Sequence, residues 1–241
     1  AKWSPRQIAG WLRVAYADDP TMRISHETIY RSLFVQARGV LKQQLIAHLR
    51  HGRSGRRPRA ATQRQPHPRI PDPISIRQRP PSVEDRAVPG HWEGDLLAGR
   101  HHTYIATLVE RQSRYLQLVR LPSKDTATVV RALTRSVRRL PTGLMRTLTW
   151  DRGTELANHR QFTLATKVHV YFCDPQSPWQ RGSNENTNGL LRQYFPKGTD
   201  LSHVSQAQLN RVARQLNTRP RETLNFETPA ARLAAIVAST D

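Results

Sequence analysis

The sequence predicts an α/β core that follows a small helical domain, and three features of the chain carry this prediction. Apolar residues recur at helical spacing in residues 1–50, and β-rich runs alternate with amphipathic stretches in residues 90–202. Between them, residues 51–89 are rich in arginine and proline and cannot bury a core of their own. We therefore expect a helical domain, a basic linker and an α/β core, with residues 203–241 as the C-terminal helical segment of that core.

The first 50 residues predict three short helices. Ser4 is a suitable N-cap with Pro5 at the first helical position, and Ser25 marks a second helix start. The apolar residues that follow fall on one helical face in each case: Ile8, Trp11 and Leu12, then Ile29, Tyr30, Leu33 and Phe34, then Leu41, Leu45 and Leu49. This indicates a helix-turn-helix variant whose recognition helix, residues 25–35, presents the polar side chains His26, Glu27 and Arg31. The long connection between the first two helices argues against the simplest form of the motif, so a plain helical bundle stays open.

The charge of the chain points to a polyanionic partner. The sequence holds 38 lysines and arginines against 18 aspartates and glutamates, a formal net charge of +20. Seven arginines and no acid lie between Arg50 and Arg69. A charge run can be no more than a solvated surface, but between two candidate DNA-contacting domains it favours contact with phosphates. The candidates in this linker are Arg53, Arg56, Arg57 and Arg59.

From His91 onward the pattern alternates between strands and helices. Two β-rich runs flank the polar turn RQSR and predict a hairpin. The predicted elements, in order, are a strand at Trp92–Leu97, strands at Tyr104–Val109 and Tyr115–Leu121, a helix at Thr126–Leu140, a strand at Leu148–Trp150, a helix at Arg160–Thr166, a strand at Val168–Cys173, and a helix that Ser183 caps and that ends near Tyr194.

Three acidic residues lie at element boundaries in this basic chain. Asp95 lies in the first core strand, Asp151 directly follows the strand TLTW, and Glu185 lies in the first turn of the last of these helices. Carboxylates that converge from distant positions are ligands for the divalent metals that cut phosphodiesters. Each also has a simpler interpretation, since an aspartate before a glycine suits a turn and a glutamate suits a helix N-terminus. Glu93 and Glu155 are rival carboxylates nearby.

The segments HWEGDLLAG, TLTWDRGTEL and SPWQRGSNENTNGLLRQYFPKGTDL resemble those of bacterial insertion-sequence transposases of the IS30 type. The resemblance runs from Trp3 to the C-terminus and is densest across residues 91–200. It implies an RNase H-like (retroviral-integrase-like) catalytic core, and the predicted order of strands and helices fits that fold. It also implies a DDE enzyme in which Asp95, Asp151 and Glu185 hold two Mg²⁺ ions, with Mn²⁺ as a substitute.

The same resemblance implies the reaction and the partners. Water would hydrolyse a phosphodiester at an element end, and the freed 3′-hydroxyl would attack a second phosphodiester in target DNA. Double-stranded DNA is therefore the expected partner, bound by a homo-oligomer. Besides Arg31 and the linker arginines, the candidate DNA contacts are Arg181, Arg192 and Lys197.

Polar and aromatic residues around Glu185 admit two interpretations each. Asn184, Asn186 and Asn188 either bind phosphate or a water near the metals, or cap the helix locally. Trp179 either stacks on a base or packs under its loop.

Other classes of protein are disfavoured by the sequence. No apolar run approaches the ~18–20 residues that a membrane span needs, and the charged N-terminal stretch does not suit a signal peptide. The single cysteine, Cys173, can form neither an internal disulfide nor a zinc site, and this usage fits a reducing cytoplasm. The resemblance implies that this cytoplasm is bacterial and that the protein associates with the nucleoid. Two alternatives to a transposase stay open. A catalytically silent DNA-binding regulator would not need the acids, and a standalone RNase H-like nuclease would not need the helical domain or the linker.

Overall fold

The computed structural model describes residues 2–32, 70–83, 88–175 and 177–239, which form two compact units. One unit combines the N-terminal helices with residues 218–232, and the other comprises residues 66–217 with residues 233–241. The sequence analysis assigned all of residues 203–241 to the core, whereas residues 218–232 group with the N-terminal helices. The third predicted helix and the linker arginines Arg53, Arg56, Arg57 and Arg59 lie outside the described residues and stay predictions. Residues 70–83 of the predicted linker are described and belong to the core unit, where Ile70, Ile76 and Val83 are buried.

The N-terminal unit begins with two helices, and both predicted starts are confirmed. Helix α1 (Pro5–Ala15) opens with a capping box in which Ser4 and Gln7 each accept a hydrogen bond from the other's backbone N–H. Helix α2 (His26–Arg31) follows Ser25, whose hydroxyl accepts a hydrogen bond from the backbone N–H of Thr28. Each cap satisfies a backbone donor that the helix itself leaves without a partner.

Residues 218–232 pack against α1 within the same unit. The side-chain amide of Gln7 donates to the carbonyl oxygen of Pro220 at 2.8 Å. The ring of Phe226 lies over Gly10, where an ideal Cβ would come within 2.1 Å of a ring carbon. Glycine at position 10 is therefore needed for this close approach.

The core unit is built on a five-stranded sheet in the order β3-β2-β1-β4-β5. The strands are β1 (His91–Ala98), β2 (Tyr104–Glu110), β3 (Leu116–Leu121), β4 (Thr147–Trp150) and β5 (His169–Phe172). The first three pair antiparallel, and β4 and β5 continue the sheet in parallel from β1. Three antiparallel strands followed by crossover strands confirm the predicted RNase H-like fold.

Helices cover both faces of this sheet. Helices α3 (Thr126–Val137) and α4 (His159–Thr166) pack with Trp92, Leu148 and Trp150 on one face. Helices α5 (Gly182–Leu191) and α6 (Gln206–Asn217) pack with Leu97 and Ile105 on the other. Because side chains alternate along β1, its even-numbered residues face α3 and its odd-numbered residues face α5. A last helix, α7, spans Pro229–Ala238.

Side-chain amides close the outer edge of the sheet. Gln206 donates to the carbonyl oxygen of Leu118 and accepts from the backbone N–H of Arg120. Asn217 exchanges two hydrogen bonds, each of 2.9 Å, with the backbone of Leu116. These contacts satisfy part of the hydrogen-bonding edge of β3, which would otherwise be open to another strand.

The start of α5 differs from the sequence prediction. The helix begins at Gly182 and ends at Leu191, so the predicted bounds at Ser183 and Tyr194 are wrong. Ser183 is buried, and its hydroxyl accepts a hydrogen bond from Arg114 instead of capping the helix. The chain enters α5 through a 3₁₀ turn, Pro178–Arg181, which a local capping pattern does not reveal.

Candidate active site

The central strands bring Asp95 and Asp151 to neighbouring positions. Strands β1 and β4 pair in parallel with Glu93 opposite Thr149, and continuing this register by two residues places Asp95 beside Asp151. Both positions are odd-numbered in a shared register, so both side chains lie on the face of the sheet that α5 covers. The adjacency expected of these two acids if their strands paired is therefore observed.

Gly94 leaves room for the ring of Trp150, which lies over it. An ideal Cβ at position 94 would lie 2.3 Å from a ring carbon of Trp150, which is fully buried. The indole N–H of Trp150 in turn donates to Glu155 at 3.0 Å. A side chain at position 94 would displace Trp150 and, with it, the adjacent Asp151.

Arg181 lies against both aspartates. Its guanidinium is 3.3 Å from Asp95 Oδ1 and 3.6 Å from Asp151 Oδ2, and it donates to the carbonyl oxygen of Gly94 at 2.9 Å. The side chain is only 14% exposed. The sequence analysis proposed Arg181 as a DNA contact, and the structure instead places it between the two carboxylates.

Further donors fix the carboxylate of Asp95. The backbone N–H of Leu96 donates to Oδ1 at 2.8 Å, and the side-chain amide of Asn188 donates to Oδ2 at 3.0 Å. Burial raises the pKa of Asp95, the guanidinium of Arg181 opposes that rise, and the charge of Asp151 adds to it. Two carboxylates thus share one cation, an arrangement that favours an additional positive charge at the site.

The loop after β4 carries a third carboxylate next to Asp151. Asp151 accepts a hydrogen bond from the backbone N–H of Gly153 at 3.0 Å, as its turn-forming interpretation predicts. The carboxylate of Glu155 folds over Gly153, where an ideal Cβ would be 2.2 Å away. The pKa of Glu155 is raised, chiefly by burial and then by the charge of Asp151. Glu155, which the sequence indicates only as a rival to the three acids, therefore interacts directly with Asp151.

Glu185 lies in the first turn of α5 and is exposed. Among the described residues, no three His, Cys, Asp or Glu side chains are grouped closely enough to hold a metal ion. The helix that carries Glu185 does contact one of the two aspartates. Asn188, one turn later, contacts Asp95, and residues three apart share a helix face.

Asn184 anchors the start of α5 to the sheet. Its amide nitrogen donates to the carbonyl oxygens of Glu93 and Thr107, and its amide oxygen accepts from the Thr107 hydroxyl at 2.9 Å. Its backbone N–H donates to Glu93 Oε2 at 2.9 Å. Neither phosphate binding nor helix capping, the two roles considered from the sequence, describes this residue. In the sequence, its spacing of four residues from Asn188 is the signal that the two asparagines lie on one face of the helix.

Glu93 forms a second arginine–carboxylate pair on the same face of β1. Its carboxylate is 3.2 Å from the guanidinium of Arg111, and the two side chains are 1% and 5% exposed. The sequence analysis treated Glu93 as a rival to Asp95 for the metal. The structure places it instead in a buried ion pair.

Of the other residues predicted to contact DNA, some make structural contacts within the protein and others are exposed. Both terminal nitrogens of Arg192 donate to the carbonyl oxygen of Ala98 at 3.1 Å, so this arginine closes the end of β1. Burial lowers its pKa. Lys197 and Asn186 are exposed in the core unit, and Arg31 is exposed in the N-terminal unit. Trp179 is 71% exposed, so the interpretation in which it packs under its loop is wrong.

No helix among the described residues is both long and apolar enough to cross a membrane.

Comparison with known proteins relates this chain to an integrase core domain family and to insertion-sequence transposases. The integrase core domain family matches residues 85–178. The transposase for insertion sequence element IS1086 from Cupriavidus metallidurans is 50% identical over 240 residues, which cover 99% of this chain and 70% of that protein. Transposase InsI for insertion sequence element IS30A from Escherichia coli K12 is 51% identical over 242 residues, or 100% of this chain and 63% of that protein.

A more distant relative extends the same similarity. The transposase for insertion sequence element IS4351 from Bacteroides fragilis is 35% identical over 237 residues, covering 98% of this chain and 70% of that protein. The chain thus spans between 63% and 70% of the length of these three relatives.

Proposed function

Because this chain belongs to the IS30 family of insertion-sequence transposases, we propose that it cuts DNA at the ends of an insertion element and joins the cut strand to target DNA. The observation that carries the proposal is the placement of Asp95, within β1, beside Asp151, which directly follows the neighbouring strand β4. Rigid elements of this kind hold reactive groups more accurately than loops do. The proposed setting is the bacterial cytoplasm, on nucleoid DNA, with the protein acting as a homo-oligomer.

The two aspartates fit a hard divalent cation. A cationic group, the guanidinium of Arg181, already lies within 3.3 Å and 3.6 Å of one oxygen of each carboxylate. Carboxylate oxygens are the ligands that Mg²⁺ and Mn²⁺ prefer. Asp95, Asp151 and Glu185 would hold two Mg²⁺ ions, for which Mn²⁺ would substitute. When bound, these metals would polarise the phosphodiester and activate the attacking water or 3′-hydroxyl.

The protein's own residues would orient the ligands of this site. Asn188 and the backbone N–H of Leu96 hold the carboxylate of Asp95 from two sides. Asn184 fixes the helix that carries Glu185. Arg181 would have to release the aspartates when a metal binds there, and its guanidinium would then be available for a DNA phosphate. Such an exchange of partners would make the observed position of Arg181 compatible with the DNA-binding role that the amino-acid sequence predicts.

Substitution of the three acids tests the proposal. Asp95→Asn, Asp151→Asn and Glu185→Gln should each abolish cleavage of a duplex that carries an element end, in the presence of Mg²⁺, while leaving DNA binding intact. Asp72→Asn is a matched control, because Asp72 is exposed and pairs with Arg160 at the surface. Full cleavage by one of the three variants would remove that residue from the proposed site, and undiminished cleavage in EDTA would contradict the use of metal.

The reaction products separate the transposase from its alternatives. A transposase should give joined products with target DNA, whereas a standalone RNase H-like nuclease should give cut products alone. A catalytically silent regulator should bind the element end and give neither. The retained pair of aspartates argues against the regulator, since DNA binding alone does not require carboxylates that repel phosphate.

A further inference from the structure

An arginine-lined groove lies between α3 and α4, on the face of the sheet opposite to α5. Its volume is about 530 Å³. We call it the arginine groove and define it by Arg131, Arg135, Arg138, Arg139, Gln161 and Ala165. All four arginines are exposed.

The core does not require these arginines. The buried side chains of α3 are Val129, Val130, Leu133 and Val137, which face the sheet. The arginines occupy the opposite side of the helix, where charged side chains do not contribute to the apolar packing. These arginines therefore belong to the exposed surface of α3 and are not needed for the packing of the core.

The positive charge of the groove is not neutralised by the described part of the protein. No acidic residue lines the groove, and none of its four arginines forms an ion pair with a described carboxylate. Arg160, on the neighbouring helix but outside the groove, does pair with Asp72 at 2.7 Å. The groove thus concentrates uncompensated positive charge in a chain whose net charge is already +20.

The spacing of the arginines suits the backbone of a nucleic acid. Arg131, Arg135 and Arg138 recur at intervals of four and three residues, which places them in one row along α3. At a rise of ~1.5 Å per residue, this row is about 10 Å long. A strand of duplex DNA carries one phosphate about every 3.4 Å along the helix axis, so the row faces about three phosphates.

The groove also belongs to the helix that contacts the active-site loop. The hydroxyl of Thr126, at the start of α3, donates to the carbonyl oxygen of Thr154 at 2.7 Å. Thr154 lies three residues after Asp151, in the loop that carries this aspartate. From Thr126 to Arg138 the helix covers about 18 Å, so the row of arginines leads away from the candidate active site on one rigid element.

We propose that the arginine groove is a second binding site for duplex DNA, which holds phosphates of a DNA segment beyond the one at Asp95 and Asp151. The contacts are with the backbone and are independent of base sequence. The proposal rests on the proposed function in one respect, since both require that the protein binds DNA. It adds a surface of the core unit that is separate from the proposed catalytic carboxylates.

Binding to a random-sequence duplex across a salt series, in EDTA so that no cleavage occurs, tests the groove. Arg135→Gln combined with Arg138→Gln should reduce the slope of log K against log salt by about 0.9 for each phosphate that the protein no longer neutralises, and so by roughly 1.8 in total. The matched control is Arg100→Gln combined with Arg211→Gln, which removes the same charge from exposed positions outside the groove. This control should keep the slope of the unmodified protein.

A conservative variant keeps the test valid if the glutamine variant is unstable. Replacement of the same two arginines by lysine preserves the charge and should restore the slope. If Arg135 and Arg138 act only as cations at the C-terminal end of α3, the glutamine variant will lower the unfolding temperature without changing the slope, and the groove proposal fails.

The outcomes distinguish this inference from the proposed function. Equal slopes for the groove variant and the control variant would overturn the groove, whatever the state of catalysis. Failure of the unmodified protein to bind duplex DNA at all would overturn the proposed function as well. Full cleavage by Asp95→Asn would contradict the catalytic proposal and leave the groove result unaffected.

Discussion

Two arginine–carboxylate clusters lie two residues apart on the same face of β1, and they differ in exposure and in charge balance. Glu93 and Arg111 form a pair at 3.2 Å with side chains 1% and 5% exposed. Asp95 and Asp151 share Arg181, and their side chains are 26% and 38% exposed. Among the described residues, the first cluster joins one carboxylate to one guanidinium, whereas two carboxylates share one guanidinium in the second.

This difference distinguishes a structural ion pair from the proposed metal site. A buried pair must be neutral and closely matched, because an unpaired charge in the interior is strongly unfavourable. Glu93 meets this condition through Arg111 and through the backbone N–H of Asn184. The aspartates retain excess negative charge next to solvent, where a further cation can reach them. We therefore assign different roles to the two acids on β1, Glu93 and Asp95, because they differ in burial and in the number of carboxylates that share a guanidinium.

The largest expected effect concerns cleavage. Asp95→Asn should lower the cleavage rate by about a thousandfold or more, since a bound metal contributes several kcal/mol of transition-state stabilisation. Asn188→Ala, which removes only a partner of Asp95, should lower it by about 10–100-fold. Single-turnover cleavage of an element-end duplex measures both. Equal reductions in the two variants would contradict the distinction between ligand and supporting residue.

The buried pair should dominate stability. Glu93→Gln removes the carboxylate from the buried pair with Arg111 and should lower the free energy of unfolding by about 3–5 kcal/mol. Glu185→Gln changes an exposed residue and should stay within about 0.5 kcal/mol of the unmodified protein. Urea denaturation of the core gives both values. A small effect of Glu93→Gln would show that the pair at Arg111 is not structural.

His91, at the buried start of β1, should make the stability of the protein depend on pH. His91 is buried at this end of β1, and burial, aided by Arg111, Arg146 and Arg79, lowers its pKa from 6.5 to about 4. Between these two values the unfolded chain binds a proton that the folded chain does not, so stability should fall as the pH is lowered through this window. The full reduction corresponds to roughly 3 kcal/mol.

Substitution of His91 isolates this contribution. His91→Gln should flatten the dependence of unfolding free energy on pH between the two pKa values, while His102→Gln, at an exposed turn position, should leave it unchanged. Denaturant titrations at a series of pH values provide the measurement. If His91→Gln leaves the pH dependence of the unfolding free energy unchanged, groups other than His91 cause the loss of stability at low pH.

The smallest expected effect tests how Arg181 and a metal compete. Arg181→Gln leaves the two aspartates without their shared cation and should reduce the free energy of unfolding by about 1–2 kcal/mol. Mg²⁺ should then stabilise this variant more than the unmodified protein, because a ligand of the folded state raises stability according to its concentration and affinity. Asp95→Asn should show little response to Mg²⁺.

Thermal unfolding with and without Mg²⁺ compares the three proteins. The comparison between the two clusters predicts that Arg111 variants lose stability that Mg²⁺ does not restore. Identical Mg²⁺ shifts for Arg181→Gln and the unmodified protein would mean that the guanidinium does not occupy the position of a metal.

The sequence by itself determined those features that arise from local chemistry. The caps at Ser4 and Ser25 and the apolar row of α3 depend on residues a few positions apart, and the structure confirms them. The five core strands follow from β-rich runs with clear turns between them. The adjacency of Asp95 and Asp151 was a condition and not a prediction, because it required the strands that carry them to pair, and the structure supplies that pairing.

Only the tertiary structure decided which side chains meet across large separations in the chain. Arg181 contacts the carbonyl of Gly94, 87 residues earlier, and nothing in its own segment indicates that its charge is used on the aspartates. The start of α5 depends likewise on Arg114, which donates to the hydroxyl of Ser183. Local periodicity specifies the faces of helices and strands, whereas depth, charge balance and partner choice arise only when distant elements pack together. That is why the positions of the acids could be predicted and the role of the cation between them could not.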